Sequence, residues 1–225
     1  MVYFSKTLNE PIQLDIERKK LGNYRHSDII SAIKSDFFDK CYICEQKGIT
    51  SINIEHFAPH KDKDMIRKYN WNNLFWSCSH CNTIKSSKYN GKLLNCTIKE
   101  DGVDSYIRYK LEPSATKKED SILIEKIGNS VELRNTVDLL KNVYRGTTDL
   151  NKHQAALIRN NIYDEVLNFI CVVDKYFFTE DLEKQDLYLF TIKNDLSNKS
   201  PFTAFKRDII KYNDKYSSLE IYILP

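Results

Sequence analysis

Two Cys-x-x-Cys turns, Cys41/Cys44 and Cys78/Cys81, frame 33 residues that have little means of folding by burial alone. A turn of this kind sets two thiolates at the separation a tetrahedral ion requires, and two such turns complete a four-cysteine Zn²⁺ site with no vacant position. The site is therefore expected to be structural: the ion pins both ends of a unit too small to hold its own geometry. Redox chemistry is the alternative for a Cys-x-x-Cys turn, and two paired copies in one small unit argue against it. The first residues, MVYFSKTLNE, lack a basic segment followed by an apolar run, so the six cysteines are not expected to form disulfides. Cys96 and Cys171 fall outside the pattern and read as ordinary buried thiols. The longest apolar run, Phe169 to Val173, is far too short to span a bilayer, so a soluble, cytoplasmic chain without membrane contact is expected.

Inside the frame lies a second constellation. Residues 51–54 alternate as a strand does and deliver Glu55 and His56 at its end. Residues 58–71, with Pro59 and many charges, read as a loop. After Leu74-Phe75-Trp76 the second cysteine turn opens a helix to about Lys88, with Asn82 just inside it and Lys85 at i+3 on the same face. A strand end facing a helix start can hold one hard cation between Glu55 and Asn82, whose oxygen donors suit Mg²⁺. From Lys61 to Lys92, Lys61, Lys63, Arg67, Lys68, Lys85, Lys88 and Lys92 are opposed only by Asp62 and Asp64. Such a field suits a polyanion, although alone it describes a solvated lysine-rich face equally well.

The remainder is expected to be mainly helical. Residues 12–40 read as helical, with Ile29, Ile30, Ile33, Phe37 and Phe38 in a stripe and Ser27 as a cap. Tyr89-Asn90-Gly91 is a stop. Residues 93–99 and 103–111 flank Asp101-Gly102 as a β-hairpin. Residues 112–120 read as a linker, and 122–127 as a short strand. Asn135 or Thr136 is expected to cap a helix to Tyr144. A long helix over 150–178 buries Ile158, Ile162, Val166, Phe169, Ile170 and Val173, and shorter helices cover 182–194 and 202–212. The reading is α+β, with an N-terminal helical segment (1–40), a zinc-stapled core (41–92), a β-hairpin and linker (93–129) and a helical region (130–225).

The order Cys-x-x-Cys, Ile54-Glu55-His56-Phe57-x-Pro59, Asn73-Leu74, Cys78-x-x-Cys81-Asn82-x-x-Lys85 resembles the HNH endonucleases with a ββα-metal core. The resemblance implies a metal-dependent nuclease acting on DNA or RNA. His56 would be the general base, and Glu55 and Asn82 would hold a catalytic Mg²⁺ or Mn²⁺. Asn73 would fix the loop carrying His56, Lys85 and Lys88 would meet phosphate, and His60 would touch substrate or metal. The chain departs from the commonest pattern in placing Glu rather than Asp before the histidine. Phe38-x-Lys40-Cys41-x-x-Cys44-Glu45 and Ser200-Pro201-Phe202-x-Ala204-Phe205 are similar to a narrower group, the PtuB-like HNH subunits of Septu-type and retron-associated anti-phage systems. That likeness implies a PtuA-like ATPase partner of SMC or ABC type docked on the helical region, and a retron RNA–DNA assembly as a further partner. A stand-alone restriction or homing nuclease is the other reading within the class. A non-catalytic zinc module binding nucleic acid is the reading outside it.

Overall fold

A computed structural model describes residues 1–61 and 63–224; Asp62, counted above against the basic stretch, lies outside the described residues. Helices α1 (Ile12–Lys20) and α2 (Ser27–Asp36) replace the single helical stretch expected over 12–40. The break follows Lys20, where Leu21 turns left-handed (φ 52°) and the Gly22 N–H returns to the Glu17 carbonyl at 2.9 Å. His26 rather than Ser27 caps α2, its Nδ1 accepting from the Asp28 N–H at 3.4 Å. Ile29, Ile33 and Phe37 are buried as their spacing requires, with Phe37 packed on Phe4 and Phe75 at ring separations of 5.0 and 5.3 Å.

The segment framed by the cysteines folds as β1 (Ile52–His56), a short α3 (Met65–Lys68), β2 (Leu74–Cys78) and α4 (Ser79–Lys85). The strands are antiparallel, Ile54 opposite Trp76 and His56 opposite Leu74, and α4 packs across both. This is the expected ββα order. β2 is buried along its whole length because α2 and α4 both cover it. α4 stops at Lys85, short of Lys88, where Ser86 takes a φ of 42°.

The β-hairpin lies elsewhere than expected. Asp101 ends a 3-10 turn, its carboxylate takes the Asn95 N–H at 2.6 Å, and Gly102 starts a short helix, α5 (Val103–Tyr106). Leu93, Leu94 and Cys96 are all buried, a pattern without strand alternation. The hairpin is β3 (Ile107–Leu111) with β4 (Ile122–Lys126), Tyr109 opposite Ile124, and residues 112–120 form its loop rather than a linker. Helix α6 (Val131–Arg145) begins earlier than expected, capped by Ser130 Oγ on the Leu133 N–H at 3.1 Å. Thr136 is instead mid-helix and buried, accepting the Leu94 N–H at 2.8 Å. Helices α7 (Asp149–Phe178), α8 (Leu182–Asp195) and α9 (Thr203–Lys211) lie close to expectation. The α7 stripe is buried except for half-buried Ile170, and Cys96 is buried; Cys171, on the outer side of α7, is exposed, against the reading of both thiols as core. No helix is long and apolar enough to cross a membrane among the described residues.

One apolar cluster runs from Met1 through the cysteine-framed segment to Phe205. Within it Glu45, directly after the first cysteine turn, is buried and receives the Met1 ammonium, Lys40 Nζ at 3.3 Å and the Ala204 N–H at 3.2 Å. Lys40 Nζ also reaches the carbonyls of Asn198 and Ser200, each at 2.8 Å. Burial works against the Glu45 carboxylate, but the two cations hold its pKa at about 2. The segment entering the first cysteine turn is thereby bonded to the segment that starts α9.

Candidate active site

The sulfur atoms of Cys41, Cys44, Cys78 and Cys81 all lie within 4.8 Å of one another and are buried. A tetrahedral ion with Zn–S bonds of 2.3 Å sets its sulfurs about 3.8 Å apart; Cys44 and Cys78 stand at 3.9 Å. The donor set, four buried thiols from two Cys-x-x-Cys turns, therefore suits zinc. The backbone prepares it: a bridge between Lys40 and Lys47 closes the first turn, the Tyr42 N–H bonds the Trp76 carbonyl at 3.0 Å, and Cys78 Sγ caps α4 by accepting the Cys81 N–H at 3.4 Å. Burial opposes ionisation of Cys41, yet hydrogen bonds from the other three thiols hold it well below the usual thiol range. One thiolate is thus favoured in the cluster, while hydrogen bonding to Cys41 pushes the Cys44 thiol up and burial pushes the Cys81 thiol up.

Glu55 and His56 are neighbours on β1 and so project to opposite faces of the sheet. Glu55 faces inward and is 5% exposed. The Tyr42 hydroxyl donates to Oε1, and Lys85 Nζ sits 2.9 Å from Oε2. Burial raises its pKa, while Lys85 and Tyr42 pull the other way. Buried and paired with Tyr42 and Lys85, Glu55 is not presented to a divalent ion in this arrangement, contrary to the sequence reading. Lys85 is corrected with it. At 2% exposure it cannot meet a phosphate; its Nζ joins Glu55 to the His56 carbonyl, 3.0 Å away.

On the other face, His56 Nε2 lies 3.0 Å from the Lys68 carbonyl. A carbonyl only accepts, so Nε2 carries the proton and Nδ1 keeps its lone pair. The imidazole meets the rings of Tyr24 and His60 edge-on, at 4.9 and 4.3 Å. Burial pushes its pKa down to about 4, the Lys68 hydrogen bond opposing and the charges of His60, Lys85 and Lys68 adding to the fall. At neutral pH it is an uncharged base.

Asn73 is buried and holds this face together. Its Oδ1 accepts the Ala58 N–H at 2.7 Å, while its Nδ2 donates to the carbonyls of Ala58 (2.9 Å) and Arg67 (3.0 Å). It thus ties the chain just after His56 to the residue before Lys68. Asn73→Asp, which sets a carboxylate against two carbonyls, is expected to destabilise the protein by about 1–3 kcal/mol per orphaned group. Urea unfolding would register this, and a variant as stable as the parent would contradict the role.

The remaining expected residues are scattered. Asn82 is half-buried on α4, and its side chain makes no hydrogen bond among the described residues. Lys88 lies past α4 and pairs with Asp138 of α6 at 3.0 Å. His80 Nε2 meets the Val143 carbonyl at 2.9 Å, leaving His60 as the second histidine on the His56 face. Two contributors escaped the sequence reading. Tyr42 could have been suspected as an aromatic inside a cysteine turn; Tyr24 carries no spacing signal at all.

A family model described as HNH endonuclease matches residues 41–88, from Cys41 to just past α4. No curated protein and no solved structure matches the chain. Residues 41–88 are an HNH endonuclease family-model domain carrying a four-cysteine cluster, which points to a nuclease with a nucleic-acid substrate.

Proposed function

We propose that the chain hydrolyses nucleic-acid phosphodiesters with His56 as general base. The observation that supports this best is the imidazole itself, uncharged and with Nε2 tied to the Lys68 carbonyl, so that Nδ1 keeps a lone pair to accept a proton. Water attacks phosphorus as Nδ1 takes its proton, and the bond to the departing oxygen breaks. Asn73 and the Lys68 carbonyl set the angle of the ring. A zinc module that only binds nucleic acid needs the four cysteines but has no use for this arrangement. The expected Mg²⁺ or Mn²⁺ does not fit a Glu55–Asn82 pair whose carboxylate is buried against Lys85, so no step is assigned to it.

His56→Ala is expected to lower kcat by roughly 10²–10⁴-fold in plasmid nicking or RNA degradation with Mg²⁺ or Mn²⁺ added. Cleavage that survives the substitution would remove the mechanism. The lowered pKa also has a sign: the base stays uncharged as pH falls through 6.5, so the acid limb of kcat/KM should lie near pH 4. A limb at the ordinary histidine value would contradict the dry environment.

The narrower reading, an anti-phage effector restrained by an ATPase, is supported by one feature. Lys40 and Glu45, from the first of the two segments resembling PtuB-like subunits, bond directly to residues 198–204 around the second. Co-purification with an SMC- or ABC-type ATPase encoded alongside would support it; full unrestrained activity of the isolated chain would count against it.

A further inference from the structure

We propose that the turn between α1 and α2, outside the HNH-matched segment, is a wall of the active site: Tyr24 positions His56, and Arg25 binds a substrate phosphate beside the scissile one. The inference rests on the nuclease reading and extends it to residues the family model does not cover.

The turn is held rigidly. Asn23 N–H bonds Glu17 Oε2 at 2.8 Å, Arg25 N–H bonds Asn23 Oδ1 at 2.9 Å, and the Tyr69 hydroxyl donates to the Gly22 carbonyl at 2.8 Å. Arg18 Nη2 reaches the Tyr69 carbonyl at 2.9 Å. Tyr69 directly follows Lys68, whose carbonyl orients His56. The same two residues therefore hold both the imidazole and the turn, which fixes their spacing. From the turn, the Tyr24 ring meets the His56 ring at 76°, with centroids 4.9 Å apart. It limits how far the imidazole can swing.

Arg25 follows that tyrosine in sequence, its guanidinium over the Tyr24 ring at 5.5 Å from the centroid. It is exposed and forms no ion pair among the described residues. An arginine held against an aromatic face keeps its planar fork free for an oxyanion, and a phosphate suits that fork. With the imidazole one ring away, the phosphate it takes would neighbour the one under attack.

Two measurements decide the matter. Tyr24→Ala is expected to lower the single-turnover rate by on the order of tenfold to a hundredfold with little change in KM, while Tyr24→Phe keeps the ring edge and restores the rate. Arg25→Ala should raise KM and leave kcat alone. Fluorescence anisotropy of a labelled DNA duplex, and of the same sequence as RNA, would be read on the His56→Ala background without added divalent ion. There Arg25→Ala should reduce the slope of log affinity against log salt by about 1, whereas Lys184→Ala on α8 should not. Wild-type cleavage with unchanged Tyr24→Ala kinetics, or an unchanged salt slope for Arg25→Ala, overturns the inference and spares the nuclease. A wild type that neither binds nor cuts either nucleic acid overturns both.

Discussion

Replacing Cys41, Cys44, Cys78 or Cys81 by serine, or stripping the metal with a chelator, is expected to unfold the segment from Cys41 to Lys85. Structural zinc in small domains contributes about 10–16 kcal/mol, comparable to or larger than the whole stability of a typical domain, about 5–15 kcal/mol. The local reason is size: β1 and β2 have five residues each and α4 has seven. Four buried thiols brought within 4.8 Å repel one another once ionised unless a cation sits among them. The damage should spread, because the cysteines belong to the same apolar cluster as Phe37, Phe75 and Phe205. Metal analysis should give one zinc per chain. A metal-free protein with unchanged circular dichroism and melting temperature would refute the structural assignment.

Lys85→Met should cost about 3–5 kcal/mol, the usual penalty for leaving one partner of a buried ion pair without the other. Both Lys85 and Glu55 are buried, and the pair sits directly behind His56. The double variant Lys85→Met/Glu55→Gln should recover much of the loss, since no unpaired charge remains. An exposed lysine touching phosphate would behave differently, costing within about 0.5 kcal/mol of stability and lowering the salt dependence of binding. Urea unfolding and salt-titrated binding separate the two accounts. If Lys85→Met proves as stable as the parent and flattens the salt slope, the inward placement of Lys85 is wrong.

The zinc ligands and the ββα order were legible because cysteine spacing and strand alternation are local rules that tertiary contacts seldom overrule. The motif around His56 marked the segment that the family model matches, residues 41–88. Glu55 and Lys85 were read as a metal ligand and a phosphate contact, whereas they pair with each other in the interior. A strand sends adjacent side chains to opposite sides, and nothing in the spacing says which side is solvent until α4 and Tyr42 close over one of them. The Asp101-Gly102 hairpin failed for a related reason. A two-residue hairpin of that type wants positive φ at both turn residues, yet only Gly102 has it, while the buried Leu93, Leu94 and Cys96 hold the preceding chain against the core. Likewise the turn after Leu21 is held to the site by the Tyr69 hydroxyl on the Gly22 carbonyl, nearly fifty residues away, and no short window of sequence contains both.

Glu45 follows the last cysteine of the first turn and at the same time grips the start of α9. With Lys40, this carboxylate moors the start of α9 to the cysteine-bearing loop. Load applied to α9 passes to Cys44 through one covalent neighbour, with no flexible slack between them.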